Sequence, residues 1–442
     1  MFARLSYSIL LMLAAPLAWV ILLWRTRRSF FVWQPWAAER FGHYPQPWDG
    51  SAPIWVHVAS VGEVRAAKPL VRALVLQGHR VVLTHFTPTG WAEGQRVLND
   101  EIRRGQVSQQ WFPYDFEGAM RRFLRHFKPS LIVLIEREVW PNLMYAAHVQ
   151  TIPVVLASAR LSVRSAKRIT WVNRFFGGLL YDAYHQVTLA LAQSEADAQR
   201  LFEVGVPHVS VAGNLKFDMT LPQVAVQAGR HWHKTLNRPV VAIASTREGE
   251  DTLFVTLIKE RLGQGMSETD LPAPLYLLIP RHPQRFDEAA RLLDSGGCRY
   301  ARWSVLREDP HGVDCLRDLD VLLGDTMGEM PFFYAAADVA VVGGSFESHG
   351  GQNFIEACAL GTPVIVGPHA FNFSDAVKSA LQAQAIVQVQ TAGAAFKQMD
   401  AWLLQPDMAR QVGEAGRNWV AQHTGATERM IQAINELTTS RD

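Results

Sequence analysis

Cysteine is scarce: Cys298, Cys315 and Cys358 are an odd number, and none stands at CxxC or Cys/His ligand spacing. A disulfide framework and a structural zinc site are therefore excluded as organising features, and a reducing compartment fits best. Net charge is nearly absent, with 43 Lys and Arg against 41 Asp and Glu, a formal +2. Such a chain is no polycation built to hold nucleic acid. No G-x-G-x-x-G fingerprint opens either half, which argues against a dinucleotide dehydrogenase. Internal repeats and low-complexity tracts are missing too. What is present is apolar mass, 48% of 442 residues. That excludes a disordered scaffold, and the length exceeds the roughly 250–300 residues at which one core stops growing. Two domains are expected.

The small total charge hides an asymmetry. Residues 1–220 carry 24 basic and 15 acidic side chains, a net +9, which leaves the remainder at −7. No acid occurs from Val139 to Tyr181, where Arg160, Arg164, Lys167, Arg168 and Arg174 all appear. With Arg121, Arg122, Arg125 and Lys128, the first half is fit to meet phosphate groups or an anionic bilayer surface. Residues 5–24 carry no charge, and Arg25, Arg27 and Arg28 follow at once. Twenty such residues are long enough to cross a hydrocarbon core, and the positive-inside asymmetry puts the bulk of the chain on the cytoplasmic side. An interfacial helix and a cleavable signal peptide are the competing readings; the latter lacks an A-x-A site and a basic n-region. Trp33, Trp36, Arg40, Phe41, His43 and Tyr44 read as an interfacial belt. Because the anchor precedes the first sheet, loss of residues 1–28 is expected to release the chain from the membrane without destroying any site in the sheets.

From residue 54, short apolar runs at 54–59, 81–86, 131–135, 154–157 and 188–192 alternate with amphipathic stretches, and the rhythm resumes after residue 238 at 240–244, 275–280, 321–323, 339–342 and 363–366. This is the signature of two doubly wound parallel sheets, with residues 213–239 as the hinge region. Ligands of such sheets bind beyond the carboxyl ends of the strands. There the first strand runs into Ser60-Val61-Gly62-Glu63, where the Glu63 carboxylate either favours the dipole of the next helix or reaches over a crevice. The 131–135 run ends in Glu136-Arg137-Glu138, two carboxylates that are expensive unless paired or open to a site. In the second half Pro280-Arg281-His282-Pro283, Gly324-Asp325-Thr326-Met327-Gly328-Glu329, Gly343-Gly344-Ser345 and Gly350-Gly351-Gln352-Asn353 follow successive strands. Glycine lets backbone N–H groups approach an anion, and together these loops describe a nucleotide crevice. Asp318-Leu319-Asp320 resembles a metal-binding DxD but opens a strand, away from the ligand end; no metal is expected.

At this point the chain closely resembles the 3-deoxy-D-manno-octulosonic acid (Kdo) transferases of lipopolysaccharide synthesis. The resemblance runs through Ala59–Glu63, Thr87-Pro88-Thr89-Gly90, Pro113-Tyr114-Asp115, Glu136-Arg137-Glu138-Val139-Trp140-Pro141-Asn142, Ala159-Arg160-Leu161-Ser162, Gly213–Asp218 and the loops of the second half just quoted. It implies an α/β fold of GT-B type: two facing Rossmann-like doubly wound parallel-sheet domains with an N-terminal hydrophobic membrane-anchor helix. The expected division is an anchor over 1–28, an acceptor domain over 29–220, a nucleotide-sugar domain over 221–425, and a C-terminal helix over 426–442 packing back across the cleft. The implied reaction moves Kdo from CMP-Kdo to a lipid A precursor, lipid IVA, with inversion and without a metal or other cofactor, at the cytoplasmic face of the inner membrane. Glu63 matches the family's general base, and Glu136 and Lys216 match residues that stabilise the transition state. CMP contacts would fall on Pro280, Arg281, Met327, Gly328, Glu329, Asn353, Phe354, Ile355 and Glu356. Arg137 stands where the family commonly has Thr, which puts a charge beside Glu136. The alternatives are another GT-B nucleotide-sugar transferase or epimerase, and a membrane-anchored nucleotide-binding module without turnover.

Overall fold

Runs of Val, Ile and Leu too apolar to leave either face wet form the centres of two all-parallel sheets. The structure, a computed structural model, describes residues 2–25, 34–45, 47–263, 273–308, 316 and 318–439. It divides into two units, Met1–Met219 with His423–Asp442, and Thr220–Gln422.

The strands of the first unit are β1 (Ile54–Val58), β2 (Val81–His85), β3 (Val107–Trp111), β4 (Leu131–Ile135), β5 (Val154–Ala159), β6 (Leu189–Ala192) and β7 (Val209–Val211), in the order β3-β2-β1-β4-β5-β6-β7. Ile54 of β1 pairs with Val81 on one side and Leu131 on the other. Its helices include α1 (Phe2–Arg25), α2 (Val61–Leu76), α3 (Glu117–Phe127), α4 (Pro141–Val149) and α5 (Ala426–Thr439). Successive residues of β1 go to opposite faces, as the pleat requires. Trp55 joins a core with Phe123 and Phe127 of α3, whereas Ile54 and Val56 join Leu70 and Leu74 of α2 on the other face. That second core also takes Ala426, Met430 and Ile434, spaced four apart on one stripe of α5. The chain therefore returns from the second unit to complete the core of the first. Its entry is fixed by Asp218, whose carboxylate accepts the backbone N–H groups of Gly425, at 2.7 Å, and of Thr427.

The second unit is built from β8 (Val240–Thr246), β9 (Leu275–Pro280), β10 (Tyr300–Arg302), β11 (Val321–Leu323), β12 (Val339–Val342), β13 (Val364–Val366) and β14 (Val387–Gln388), in the order β10-β11-β9-β8-β12-β13-β14. Val241, Ile243, Tyr276 and Leu278 pack there against Phe254, Phe396 and Met399.

The expectation of a membrane-spanning N-terminal helix is corrected: no helix of the described residues is long and apolar enough to cross a membrane. The physical reason lies in what α1 touches. Arg4, Tyr7 and Ser8, on one face at i, i+3 and i+4, bind Glu117, Asp115 and Asn142. Leu5, Ile9, Leu10, Met12, Leu13, Leu17 and Val20 are left 49–73% exposed. A helix whose first two turns are seated on protein through Arg4, Tyr7 and Ser8 is not enveloped by lipid there. The interfacial belt is revised as well. Arg40 is fully buried, its guanidinium 4.3 Å over the Trp111 ring, and Tyr44 packs edge-on against Phe123 and Phe127. Residues 26–28 of the expected anchor and Trp33 lie outside the described residues.

Asp218→Ala removes the cap of α5 and should cost the first unit about 1–2 kcal/mol. Urea unfolding followed by intrinsic fluorescence would show it, and an unchanged midpoint would mean that α5 is held by its apolar stripe alone.

Candidate active site

The strand order of the first unit reverses between β1 and β4, and such a switch point opens a crevice at the carboxyl ends of the strands. Glu63 follows β1 and Glu136 follows β4. Ser60 is the N-cap of α2, accepting the Glu63 N–H, while the Glu63 carboxylate reaches back to the Ala59 N–H at 2.8 Å and the Ser60 hydroxyl at 3.0 Å. This is a variant of the capping box in which the carboxylate takes the N–H one residue before the cap. The hydrogen bonds that cap the helix thus also fix where the carboxylate lies, at the carboxyl end of β1.

Its environment is not that of an ordinary cap. Burial, then the negative charge of Glu136, push the Glu63 carboxyl up to about 7, against the pull of the Ala59 and Ser60 hydrogen bonds and with a further push from Glu138. A group of that basicity is partly ionised near neutrality and can take a proton from a hydroxyl. Burial would raise Glu136 too, but Lys216, with help from Arg160 and Arg137, outweighs it and holds the carboxyl below its usual value. The Lys216 ammonium donates to Glu136 Oε1 at 2.7 Å. So the cation that neutralises Glu136 comes from far along the chain, while Arg137 is exposed. Glu136 has φ of +62°, which costs a bulky residue about 1–3 kcal/mol. The strain is held by Glu136 N–H donating to Ala157 O at 3.1 Å and by Arg160 N–H donating to Glu136 O at 3.3 Å. Lys216 lies on a 3-10 turn, Leu215–Asp218, capped by Asn214.

Two further groups stand at this site: Glu138, the second of the two strand-end carboxylates, and His57, which the sequence reading did not single out. Glu138 accepts the Trp140 indole N–H at 3.0 Å and stands 3.9 Å from Nε2 of His57. His57 lies within β1 with no exposure, and burial and then His85 push it down to about 3, so it is a neutral ring. A histidine in an apolar strand reads as core, and nothing in its neighbours signals otherwise.

In the second unit the loops after β9, β8, β11 and β12 share one end of the sheet, because those strands are parallel neighbours. Pro280 ends β9, and Arg281 donates through Nε to Gln352 at 3.2 Å, which joins the Pro280–Arg281 and Gly350–Asn353 loops. Arg247, which the sequence reading passed over, follows β8 and donates to His282 Nε2 at 3.0 Å. Burial, then Arg247 and Arg281, hold His282 below its usual value. Met327 is 50% exposed and Gly328 has φ of +88°. The Glu329 carboxylate is taken by Trp303 Nε1 and by the Thr326 hydroxyl. Asn353 holds Glu356 and the Ile355 N–H. The Phe354 and Ile355 side chains are core, with Phe354 stacked on Trp419, so only their backbone can meet a ligand.

One expectation is corrected here. The amides around Gly343-Gly344-Ser345 already hold an anion of the chain itself. Glu250, fully buried, accepts N–H groups of Arg247, Gly344, Phe346 and Glu347 at 2.5–3.3 Å. Glycine is required for that close approach: a Cβ on Gly343 would lie 2.7 Å from Thr246 Cα and 2.9 Å from Glu250 Oε2. Asp320 of the DxD look-alike is committed to the Arg299 guanidinium, at 2.7 Å, and its backbone N–H.

Comparison with known proteins follows the same outline. Residues 36–219 match the family model described as 3-deoxy-D-manno-octulosonic-acid transferase, and residues 316–419 match that of glycosyl transferases group 1. A 3-deoxy-D-manno-octulosonic acid transferase of Bordetella pertussis is 47% identical over 434 residues, 97% of this chain and 98% of that one. One of Haemophilus influenzae is 33% identical over 410 residues, 90% of each chain. Among solved structures, UDP-GlcNAc 2-epimerase from Neisseria meningitidis matches 87% of this chain and all of its own at a TM-score of 0.56 and 15% identity. That is a likeness of fold alone.

The Glu63 carboxyl stands at about 7 in the fold against an ordinary 4.5, so the native state holds the proton more tightly than the unfolded chain. Its ionisation costs stability, with no cost at acid pH, a growing one from about pH 5 to 7, and the full one above. Glu63→Gln keeps an acceptor for the Ala59 N–H and loses the charge. It should be more stable than wild type near pH 8, by about 1–3 kcal/mol, and level with it near pH 4. Melting curves across that range test this, and a gap that stays constant with pH refutes the assigned environment.

Proposed function

The chain belongs to the 3-deoxy-D-manno-octulosonic acid transferase family, and from this premise we propose that Glu63 is the general base of the sugar transfer. The enzyme is a glycosyltransferase that moves Kdo in the making of lipopolysaccharide. The single observation that carries the assignment of the base is the Glu63 carboxyl, raised to about 7 at the switch point of the first sheet. In the reading we favour, the donor is CMP-Kdo and the acceptor a lipid A precursor. The acceptor hydroxyl loses its proton to Glu63 as its oxygen attacks the anomeric carbon. The bond from that carbon to the phosphate oxygen breaks, and the leaving CMP takes the electron pair. Attack opposite the leaving group inverts the anomeric centre.

Glu136, kept ionised by Lys216, supplies a negative charge for the cation-like sugar of the transition state, already oriented before the reaction begins. CMP is assigned to the second unit, on Pro280, Arg281, Met327–Glu329 and Asn353–Glu356. Arg281, with Arg247 held nearby through its bond to His282, supports this by offering guanidinium cations to a phosphate. The bilayer surface is assigned to the first unit, on the cytoplasmic side of the inner membrane. Support comes from the bare apolar face of α1 and from the neighbouring helix Val163–Phe175, which exposes Arg164, Lys167, Arg168, Trp171 and Phe175. The two surfaces are close, since a Cβ on Gly177 would lie 3.7 Å from the Cβ of Ala3. A helix lying in the interface, basic and aromatic, fits this arrangement.

Mass spectrometry of lipid A precursor after incubation with CMP-Kdo should show added Kdo, and a lack of product with CMP-Kdo but turnover of a UDP-sugar would overturn the donor. Glu63→Gln should lower kcat on the order of 10²–10⁴-fold with CMP affinity unchanged. The wild-type rate should rise with pH to a plateau above about 7, as the base loses its proton. An active Glu63→Gln would remove Glu63 from the mechanism.

A further inference from the structure

The polar face of α1 has partners that a detachable anchor would not need. Arg4 Nη1 donates to Glu117 Oε2 at 2.7 Å and to Asn142 Oδ1 at 3.2 Å, and its guanidinium lies 3.5 Å from the centre of the Tyr145 ring. Tyr7 donates its hydroxyl to Asp115 Oδ2 at 3.0 Å, and Ser8 donates to Asn142 Oδ1 at 3.1 Å. Asn142 is fully buried, and Ser8 and Asp115 are each 6% exposed. Removing α1 would leave these groups uncovered or unpaired.

Asp115 links this face to the catalytic loop. Trp140, the residue that precedes α4, gives it no side-chain cap. The first amides of α4 are taken instead by Asp115, which accepts the N–H of Asn142 at 3.1 Å and of Leu143 at 2.8 Å, while its backbone carbonyl accepts Asn142 Nδ2 at 2.7 Å. A helix start held from another loop fixes where the preceding residues lie. Those residues are Glu136 to Trp140, and Trp140 in turn holds Glu138.

We propose that α1 is part of the active-site framework: Arg4, Tyr7, Ser8 and Asp115 are positioning residues that lock the first turn of α4 and, through it, the Glu136–Trp140 loop. The inference rests on the reading of that loop as catalytic. It replaces the expectation that residues 1–28 can be lost without damage to the site. The outer face of α1 meets the bilayer while the inner face sets the loop, so one helix serves both contacts.

The test uses the full chain with Arg4→Met, Tyr7→Phe and Ser8→Ala combined, which leaves the apolar face intact, and separately Asp115→Asn. Hydrogen exchange is read at the Asn142 and Leu143 amides, with kcat and KM on detergent-dispersed lipid A precursor and calorimetric CMP affinity alongside. Exchange at both amides should rise, and kcat should fall on the order of 10–100-fold, with CMP affinity unchanged. Tyr7→Phe alone should give an intermediate result, which guards against simple misfolding. Unchanged exchange, or raised exchange with kcat within about twofold of wild type, overturns the proposal. Glu136→Gln separates the two readings: if it keeps turnover, the loop is not catalytic, whereas the exchange measurement still reports whether α1 holds α4.

Discussion

Two carboxylates at the dry end of a parallel sheet cannot both be ionised side by side without a cation, and Lys216 is that cation. Its bond to Glu136 keeps one carboxylate charged, and the charge so fixed helps raise the other, Glu63. Environments that push two like groups apart in acidity are how one site assigns different roles to the same functional group. The rest of the first unit supports that pairing. Asn214 caps the turn that carries Lys216, and the Ser158 hydroxyl accepts the Leu215 N–H. Asp218, two residues beyond Lys216, fixes the start of α5. The last segment of the chain thus returns to the turn that neutralises Glu136.

A second theme is the use of buried and half-buried carboxylates to satisfy backbone N–H groups. Glu250 fills the glycine-rich loop after β12, Asp115 caps α4 from another loop, and Asp218 caps α5. Leaving such amides bare would cost about as much as losing each hydrogen bond outright. Glycine in these loops therefore serves close approach of the chain to itself as much as to a ligand. In the second unit the glycine-rich loop after β12 is already filled by the carboxylate of Glu250. The same economy explains Asp115: burial pushes its carboxyl up to about 7, while the Asn142 and Leu143 amides and the Tyr7 hydroxyl draw it down.

Much of the fold was legible in the chain, and the exceptions have one cause. The ten central strands were visible as apolar runs because both faces of a parallel strand are covered, so nearly every position is apolar and the few polar ones, such as His57 and Thr84, are hydrogen-bonded inside. The four that went unseen, β3, β7, β10 and β14, are the edges of the two sheets. At an edge, covering is incomplete: β7 is mostly exposed and β10 and β14 only partly buried, and polar residues are admitted. The apolar run of α1 was equally visible, but the few polar residues at its start decided where it sits.

By itself the sequence determined the two βα-repeating halves, the family, and which carboxylates stand at strand ends, since each of these is a matter of local order and residue type. Only the tertiary structure decided that Glu136 is answered chiefly by Lys216, with its neighbour Arg137 a lesser contributor, that Glu250 occupies a loop suited to a ligand, and that α1 is clasped by Asp115 and Asn142. These are contacts between residues about 80, 94 and more than 100 positions apart. Pairing and acidity depend on distance and burial, and a linear order of residues specifies neither until the sheets have brought its distant parts together.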